Sequence, residues 1–561
     1  MTTISDSPIR GSGLITGAFP SPDGQALAIA SRFSLLVNPP SRACYAGQTL
    51  HYRLALYRRD EAVPFASFDR LRFHINDVAF HPTEPVVAIA TGSYDGGYFF
   101  GGDLVLWNWI SNSHGRPVKQ IPEVARCRFD ESGEVIESLV RPWDEEWEGL
   151  PEPREDTAFD SFFPVRVAYS GTAFAETGSV EIELNPGARI ESAQVVAHGF
   201  AEIATADAGE AELRALSWFN LPHQRLRHAI RDVGWLDDQH IAVVHDGCLL
   251  EIFNMAGERT GAFHGEGYGS EILKSTPVCV HIVEPPSSFD RFSPQRGVAK
   301  LCTISNGELT EVGAFEGEYT FSSSPSGNVL GRLNRIQAGK STKDVLIDLA
   351  GSGAAKAIDL GHYDCFNHYI GIDGAPYLFF LQGTPQTAHK NKRLCVVKPS
   401  GEVRTLWPLL AADGTDASHA MECCGCFVSD GAGEGVVVSG KHYSPNCSKP
   451  VAAFLYRKAL SADRELWRHE TGACASTLVF LPDEGLVAAA LLDGTLMLLR
   501  AADGHVLFTG KARVDGVRTI IFSMDAHGDR LALGTVDGRI AVMTVKEILK
   551  GPQAEGWFDL G

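Results

Sequence analysis

Between His419 and Cys426 the chain reads HAMECCGC, with His442 and Cys447 downstream. Zinc takes four imidazole or thiolate ligands in a tetrahedron, and that is the chemistry this composition could support. The spacing argues otherwise. There is no paired CxxC knuckle, and the adjacent Cys423 and Cys424 would point to opposite faces of an extended strand. Buried free thiols are the plainer expectation. A second stretch, Gly435 to His442, reads GVVVSGKH and nearly matches the phosphate loop GxxxxGK[ST]. His442 stands where magnesium needs a hydroxyl, and the three valines belong in a strand, whereas phosphate needs loop N–H groups. No GxSxG nucleophile elbow occurs. No catalytic residue, metal ligand or cofactor is therefore assigned.

The third unusual stretch is GGYFFGG, Gly96 to Gly102, which sets Tyr98, Phe99 and Phe100 in a row on a glycine-flanked connector. Aromatic side chains are enriched at the energetic centres of interfaces, so these three are candidate anchors for a partner. The alternative is that they fold back on their own scaffold as satellite core.

Bulk properties narrow the field. At 561 residues the chain exceeds one compact core, so several domains or a repeat array are expected. A formal charge of −20 repels nucleic acid and anionic membrane alike, which disfavours both as partners. MTTISDSPIRGSG shows no basic segment leading into an apolar run, and no uncharged apolar stretch approaches the ~20 residues of a spanning helix. Twelve cysteines without framework spacing point to reduced thiols and a cytoplasmic location.

The elements that would carry any site are short. Residues 476–509 read STLVFLPDEGLVAAALLDGTLMLLRAADGHVLFT, and 517–546 and 230–263 repeat the plan. Apolar runs separated by Asp/Gly turns are too short for helices of ~10 residues, and the turns favour antiparallel hairpins. Four such strands recurring every ~35–50 residues mean a β-propeller. About nine or ten candidate blades run through 1–561 as a continuous array, in one large ring or two. Segment 178–227 is strand-rich but fits no copy, and residues 2–9 are a candidate to complete the last blade.

One copy, 74–109, resembles the WD-repeat family. His74 precedes the first strand, His81-Pro82 ends it, TGSYDG (Thr91 to Gly96) follows the second, and Trp107 closes the third in LVLWNW. The resemblance implies a structural hydrogen-bond tetrad, His74, Thr91, Asp95 and Trp107, which locks a blade and does no chemistry. Other copies depart from the pattern: Phe253-Asn254 replaces Trp-Asp, Leu533 stands where the last copy's hydroxyl is expected, and Trp143-Asp144 falls in an acidic loop.

Long insertions recur between the second and third strands of the copies, while turns between first and second strands stay short. Connectors inserted on one side of a repeat array often build its binding face. The insertion containing Trp143 and Trp147 carries eight carboxylates against one arginine over 144–160. Those containing Lys340, Lys343, Lys390, Lys392, Arg393, Lys441 and Lys449 are basic, so the connectors could orient a partner by charge. Tyr98, Phe99, Phe100, Trp143, Trp147, Lys390, Lys392 and Arg393 are the candidate contact residues. The expectation is a non-catalytic scaffold that docks another protein. The alternative is a propeller hydrolase or lyase with a site at the axial channel, with or without a metal.

Overall fold

The computed structural model describes residues 1–33, 52–71, 73–94, 100–118, 123–141, 161–169, 188, 190–191, 195–200, 208–222, 229–245, 247–284, 297–305, 307–317, 319–333, 344–349, 351, 353–360, 370–375, 378–382, 393–408, 420–442, 453–461 and 464–551. Within them the backbone pairs into ten four-stranded antiparallel blades, numbered here 1 to 10 in chain order. Blades 1 to 3 (14–71, 75–115 and 123–191) belong to one compact unit, which spans Pro8–Phe33 and Thr49–Leu226. Blades 4 to 10 belong to a second, built chiefly from Arg227–Gly561 together with Met1–Ser7.

The second unit is a closed ring. The first strand of each blade packs on the first strand of the next, through Ile230–Trp235, Tyr268–Leu273, Tyr319–Ser323, Ile370–Asp373, Ala420–Asp430, Ala475–Leu481 and Ile521–His527. The last of these returns to the first, so the β-propeller has seven blades. Middle strands such as Leu486–Leu491 are buried along their whole length, because each sheet is sandwiched between two others. Every Leu or Val so buried contributes roughly 1.5–3 kcal/mol. At the hub, glycines on the first strands let side chains of the neighbouring blade pack against the backbone. A Cβ on Gly234 would lie 2.9 Å from Ile272, one on Gly425 2.6 Å from Ile372, and one on Gly371 2.6 Å from the Ser322 hydroxyl. Blades 7 and 8 even share a parallel pairing there, Ile372 with Gly425 and Asp373 with Cys426.

Polar side chains on the first strands stitch blade to blade. Asp232 of blade 4 accepts the Ser523 hydroxyl of blade 10 at 2.5 Å and the Ile272 N–H of blade 5 at 2.8 Å. Asp525 takes the Trp235 N–H at 2.8 Å and the Lys274 ammonium at 2.7 Å. In the other unit Asp77 of blade 2 takes the Cys127 N–H of blade 3 at 3.2 Å. A bulge recurs near the start of these strands, between Ile75 and Asp77, Ile230 and Asp232, and Ile521 and Ser523. It turns the stitching residue toward the neighbouring blade.

The outer strand of blade 10 is Thr2–Ser5, paired antiparallel with Ile540–Thr544 and burying Ile4. The residues after Thr544 turn instead into a short helix, Val545–Leu549, closed by a Thr544/Glu547 capping box.

Blades 1 to 3 form a stack with covered ends. One face of blade 2 packs on blade 1 and the other on blade 3. The free face of blade 1 is covered by a helix, α1 (Ala208–Trp218), through Ala211, Ala215 and Leu216, and by Phe219 just beyond it. The free face of blade 3, which includes Ile190 of its outer strand, is covered by Val195 and Phe200. Segment 178–227, read above as strand-rich, thus contains in its described residues one two-residue strand, a 3-10 turn and this helix. The run AGEAELRALSW has good helix formers and apolar residues four apart, a period the strand reading overlooked.

Candidate functional site

Strand order shows long connectors recurring in one slot, between second and third strands, beside others at 169–189 within blade 3 and at 359–369 and 409–419 between blades. Residues 34–51, 95–99 and 142–160 lie between the second and third strands of blades 1, 2 and 3. Residues 285–297, 334–343, 383–392 and 443–452 occupy the same slot in blades 5, 6, 7 and 8, four neighbours in the ring. Blades 9, 10 and 4 close that slot tightly, with 492–494, 536–539 and 246–247. Gly494 shows why the tight version needs its residue: φ is +81°, and an added Cβ would stand 3.0 Å from the Thr519 carbonyl oxygen.

Of the candidate contact residues, Tyr98, Phe99, Trp143, Trp147, Lys390 and Lys392 lie outside the described residues. Phe100 is in a two-residue strand, Phe100–Gly101, that pairs with Ser93–Tyr94 and forms the stem of the aromatic insertion. A clasp closes its base. Thr91 Oγ1 donates to the Asp103 carbonyl at 2.9 Å and accepts the Asp103 N–H at 2.8 Å. Arg116 Nε donates to the Asp103 carboxylate at 3.1 Å. Arg393 opens the third strand of blade 7 half-buried, and its Nε has no hydrogen-bond partner among the described residues.

The tetrad members the structure describes are not joined to one another. Thr91 is spent on Asp103, the Trp107 Nε1 donates to Asn112 Oδ1 at 3.2 Å, and the His74 Nδ1 lies 3.2 Å from Asn76 Oδ1. Burial, only partly offset by Asn76, holds the His74 imidazole below its ordinary pKa. Asp95 lies outside the described residues. A buried lock does exist in blade 10, where the sequence reading placed Leu533 at the hydroxyl position. The hydroxyl there is Thr535. Asp537 Oδ1 accepts Thr535 Oγ1 at 2.6 Å and Thr519 Oγ1 at 2.7 Å. Its Oδ2 takes Arg539 Nη2 at 2.6 Å and Nε at 3.1 Å, and all of Thr535, Asp537 and Arg539 are wholly buried. The signal was TVDGR, two residues further along than the alignment supposed, with arginine in place of tryptophan.

The phosphate-loop lookalike is strand. Gly433–His442 forms the second strand of blade 8, in register with Ala420–Asp430, so its N–H groups are committed to a ladder. In the cysteine-rich stretch, Cys426 is buried and the Cys424 thiol donates to the Ala475 carbonyl at 3.4 Å. His419 and Cys447 lie outside the described residues. Burial pushes the thiols of Cys279 and Cys302 up to about 12 and about 11, so neither is a nucleophile at neutral pH. Among the described residues no helix is long and apolar enough to cross a membrane.

No family model matches the chain, and no curated protein does. Among solved structures, the crystal structure of the WD40 beta propeller domain of Doa1 is similar to it, with 12% identity and a TM-score of 0.39 over 56% of this chain and 92% of that one.

Proposed function

We propose that this chain is a non-catalytic protein-interaction scaffold whose partner docks on the long connectors between second and third strands. One observation carries the reading: four neighbouring ring blades, 5 to 8, are elaborated in the same slot, while blades 9, 10 and 4 are not. Drift without selection for contact has no reason to lengthen one slot in consecutive blades and spare the others.

The composition of those connectors indicates the partner's chemistry. Segments 334–343, 383–393 and 441–452 contain Arg335, Lys340, Lys343, Lys390, Lys392, Arg393, Lys441 and Lys449 and no carboxylate, within a chain of net charge −20. A partner surface rich in Asp and Glu fits this set, and its association is steered by charge and weakened by salt. In the other unit, taken by itself, Tyr98, Phe99 and Phe100, with Trp143 and Trp147, are the candidate apolar anchors of its own connectors.

The test compares affinity captures by the intact chain, a Lys390→Glu/Lys392→Glu/Arg393→Glu variant, and a variant with Gly96–Gly102 shortened to Gly-Gly. Proteins lost with the charge reversal and eluted from the intact chain by moderate salt support the proposal. Identical partner sets for all three chains overturn it, as does retention of nucleic acid in place of protein.

A further inference from the structure

In blade 4 of the ring the tight turn 246–247 brings together three side chains that the scaffold role does not use. They are His245 at the end of the second strand, and Cys248 and Glu251 on the third. The His245 Nε2 lies 3.2 Å from the Cys248 Sγ and 3.2 Å from the Glu251 Oε2, and the three ligand atoms all fall within 4.8 Å of one another. All three residues are buried.

Their convergence has a specific structural cause. Cys248 and Glu251 are three apart, and on a regular strand they would point to opposite faces. A bulge between the pairs Val243–Glu251 and His245–Cys248 shifts the register by one residue and puts both on the face that bears His245. The carboxylate is further oriented by Arg259, whose Nη1 donates to the outer oxygen Oε1 at 2.9 Å, so Oε2 is the oxygen turned to the imidazole.

We infer that His245, Cys248 and Glu251 form a binding site for a divalent transition metal, zinc by preference. A tetrahedral zinc with bonds of ~2.0 Å to nitrogen and oxygen and ~2.3 Å to sulfur sets its ligand atoms about 3.3–3.6 Å apart, close to the two separations of 3.2 Å from the imidazole nitrogen. One thiolate, one imidazole and one carboxylate are zinc donors, whereas calcium and magnesium take oxygen alone. Arg259 is the outer residue that fixes the carboxylate. Without metal the Nδ1 of His245 accepts the Gly247 N–H at 3.1 Å, which puts the ring proton on Nε2. Metal entry therefore moves that proton to Nδ1, turns the Gly247 amide away, and releases the thiol proton of Cys248 to solvent. Glycine at 247 lets the peptide turn without a side chain in the way. Three protein ligands leave the fourth position for water or an added ligand.

The full chain, stripped with chelator, is titrated with Co2+ and then with Zn2+. One Co2+ per chain with a near-ultraviolet thiolate charge-transfer band, displaced by Zn2+, is the expected result. Cys248→Ser removes the band, and Arg259→Ala, at a largely exposed residue, weakens binding ~10–100-fold while leaving the ligands in place. Absence of the band in the unmodified chain at stoichiometric Co2+ overturns the inference. So does a band that survives Cys248→Ser, which would put the metal on another thiol, or an affinity that Arg259→Ala leaves unchanged.

Discussion

His281 offers the sharpest test of how the ring is held together. It sits in the second strand of blade 5, opposite Glu271 and Leu301, with its ring edge-on to Phe321 of blade 6 at 4.8 Å. It is 1% exposed, and neither nitrogen has a hydrogen-bond partner among the described residues. Burial, and secondarily the charge of Arg231, pushes its pKa from 6.5 down to about 3. The folded ring therefore keeps this imidazole neutral through the range in which the unfolded chain protonates it. Stability from this residue is complete above pH ~6.5 and is lost as pH falls toward 3, at about 1.4 kcal/mol per pH unit. Between pH 7 and pH 5 the loss is about 2 kcal/mol, or about 3 °C in Tm for a unit of this size.

Replacing His281 by Leu removes the titrating group and an unpaired polar group from the interior, at similar volume. The variant should melt higher than the parent at pH 7, since burying an unpaired polar group costs ~1–3 kcal/mol. Its Tm should also fall less between pH 7 and pH 5, by the ~3 °C assigned to the imidazole. Thermal unfolding of both chains at the two pH values measures this directly, and the difference cancels every other titrating group. Equal pH slopes in the two chains would refute the reasoning, because the imidazole would then be equally protonated in the folded and unfolded states.

Two further substitutions probe the polar locks. Asp537→Ala leaves the wholly buried Arg539 without its carboxylate and should destabilise the ring by ~3–5 kcal/mol in denaturant unfolding, with a loss under ~1 kcal/mol counting against the lock. Asp232→Ala strands the Ile272 N–H and the Ser523 hydroxyl at the junction of blades 10, 4 and 5; a cost of ~2–4 kcal/mol is expected, together with faster hydrogen exchange at Ile272. Exchange at Ile272 that stays as slow as in the parent would show that the stitch bears no load.

Much of the fold was legible because its signals are local. The Asp-Gly turns at 493–494 and 537–538 and the apolar runs beside them announce hairpins within a few residues, and repetition turns hairpins into blades. The slot of the long connectors could be read the same way, from strand order alone. What stayed hidden depends on contacts distant in sequence. Closure of the ring rests on pairs such as Val233 with Ser523, 290 residues apart, and no local pattern reports it. Helix α1 was missed because its apolar spacing is meaningful only against the face of blade 1 that it covers. The cluster of His245, Cys248 and Glu251 escaped notice since strand alternation separates Cys248 from Glu251, and only the bulge reunites them.

The weak motif match follows from the same physics. A blade needs its outer strands tied to its inner ones by something buried and fully bonded, but several residue sets meet that need. In blade 10 it is Asp537 with two threonines and Arg539; in blade 8 it is Arg457, donating to both oxygens of Asp430 at 2.7 and 2.9 Å and to the carbonyls of Gly433 and Ala501. In blade 1 it is Arg53 with Asp69 at 2.5 Å, and Arg53 also holds the Gly11 carbonyl. Each arginine is buried with its charge compensated, and each takes its partner from a different strand or turn. A search for one fixed tetrad therefore finds a single blade, whereas in blades 1, 8 and 10 a buried arginine–aspartate pair meets the same requirement at a different position each time. Such pairs are costly to break and nearly neutral to relocate, so the architecture persists while the sequence pattern that would advertise it fades.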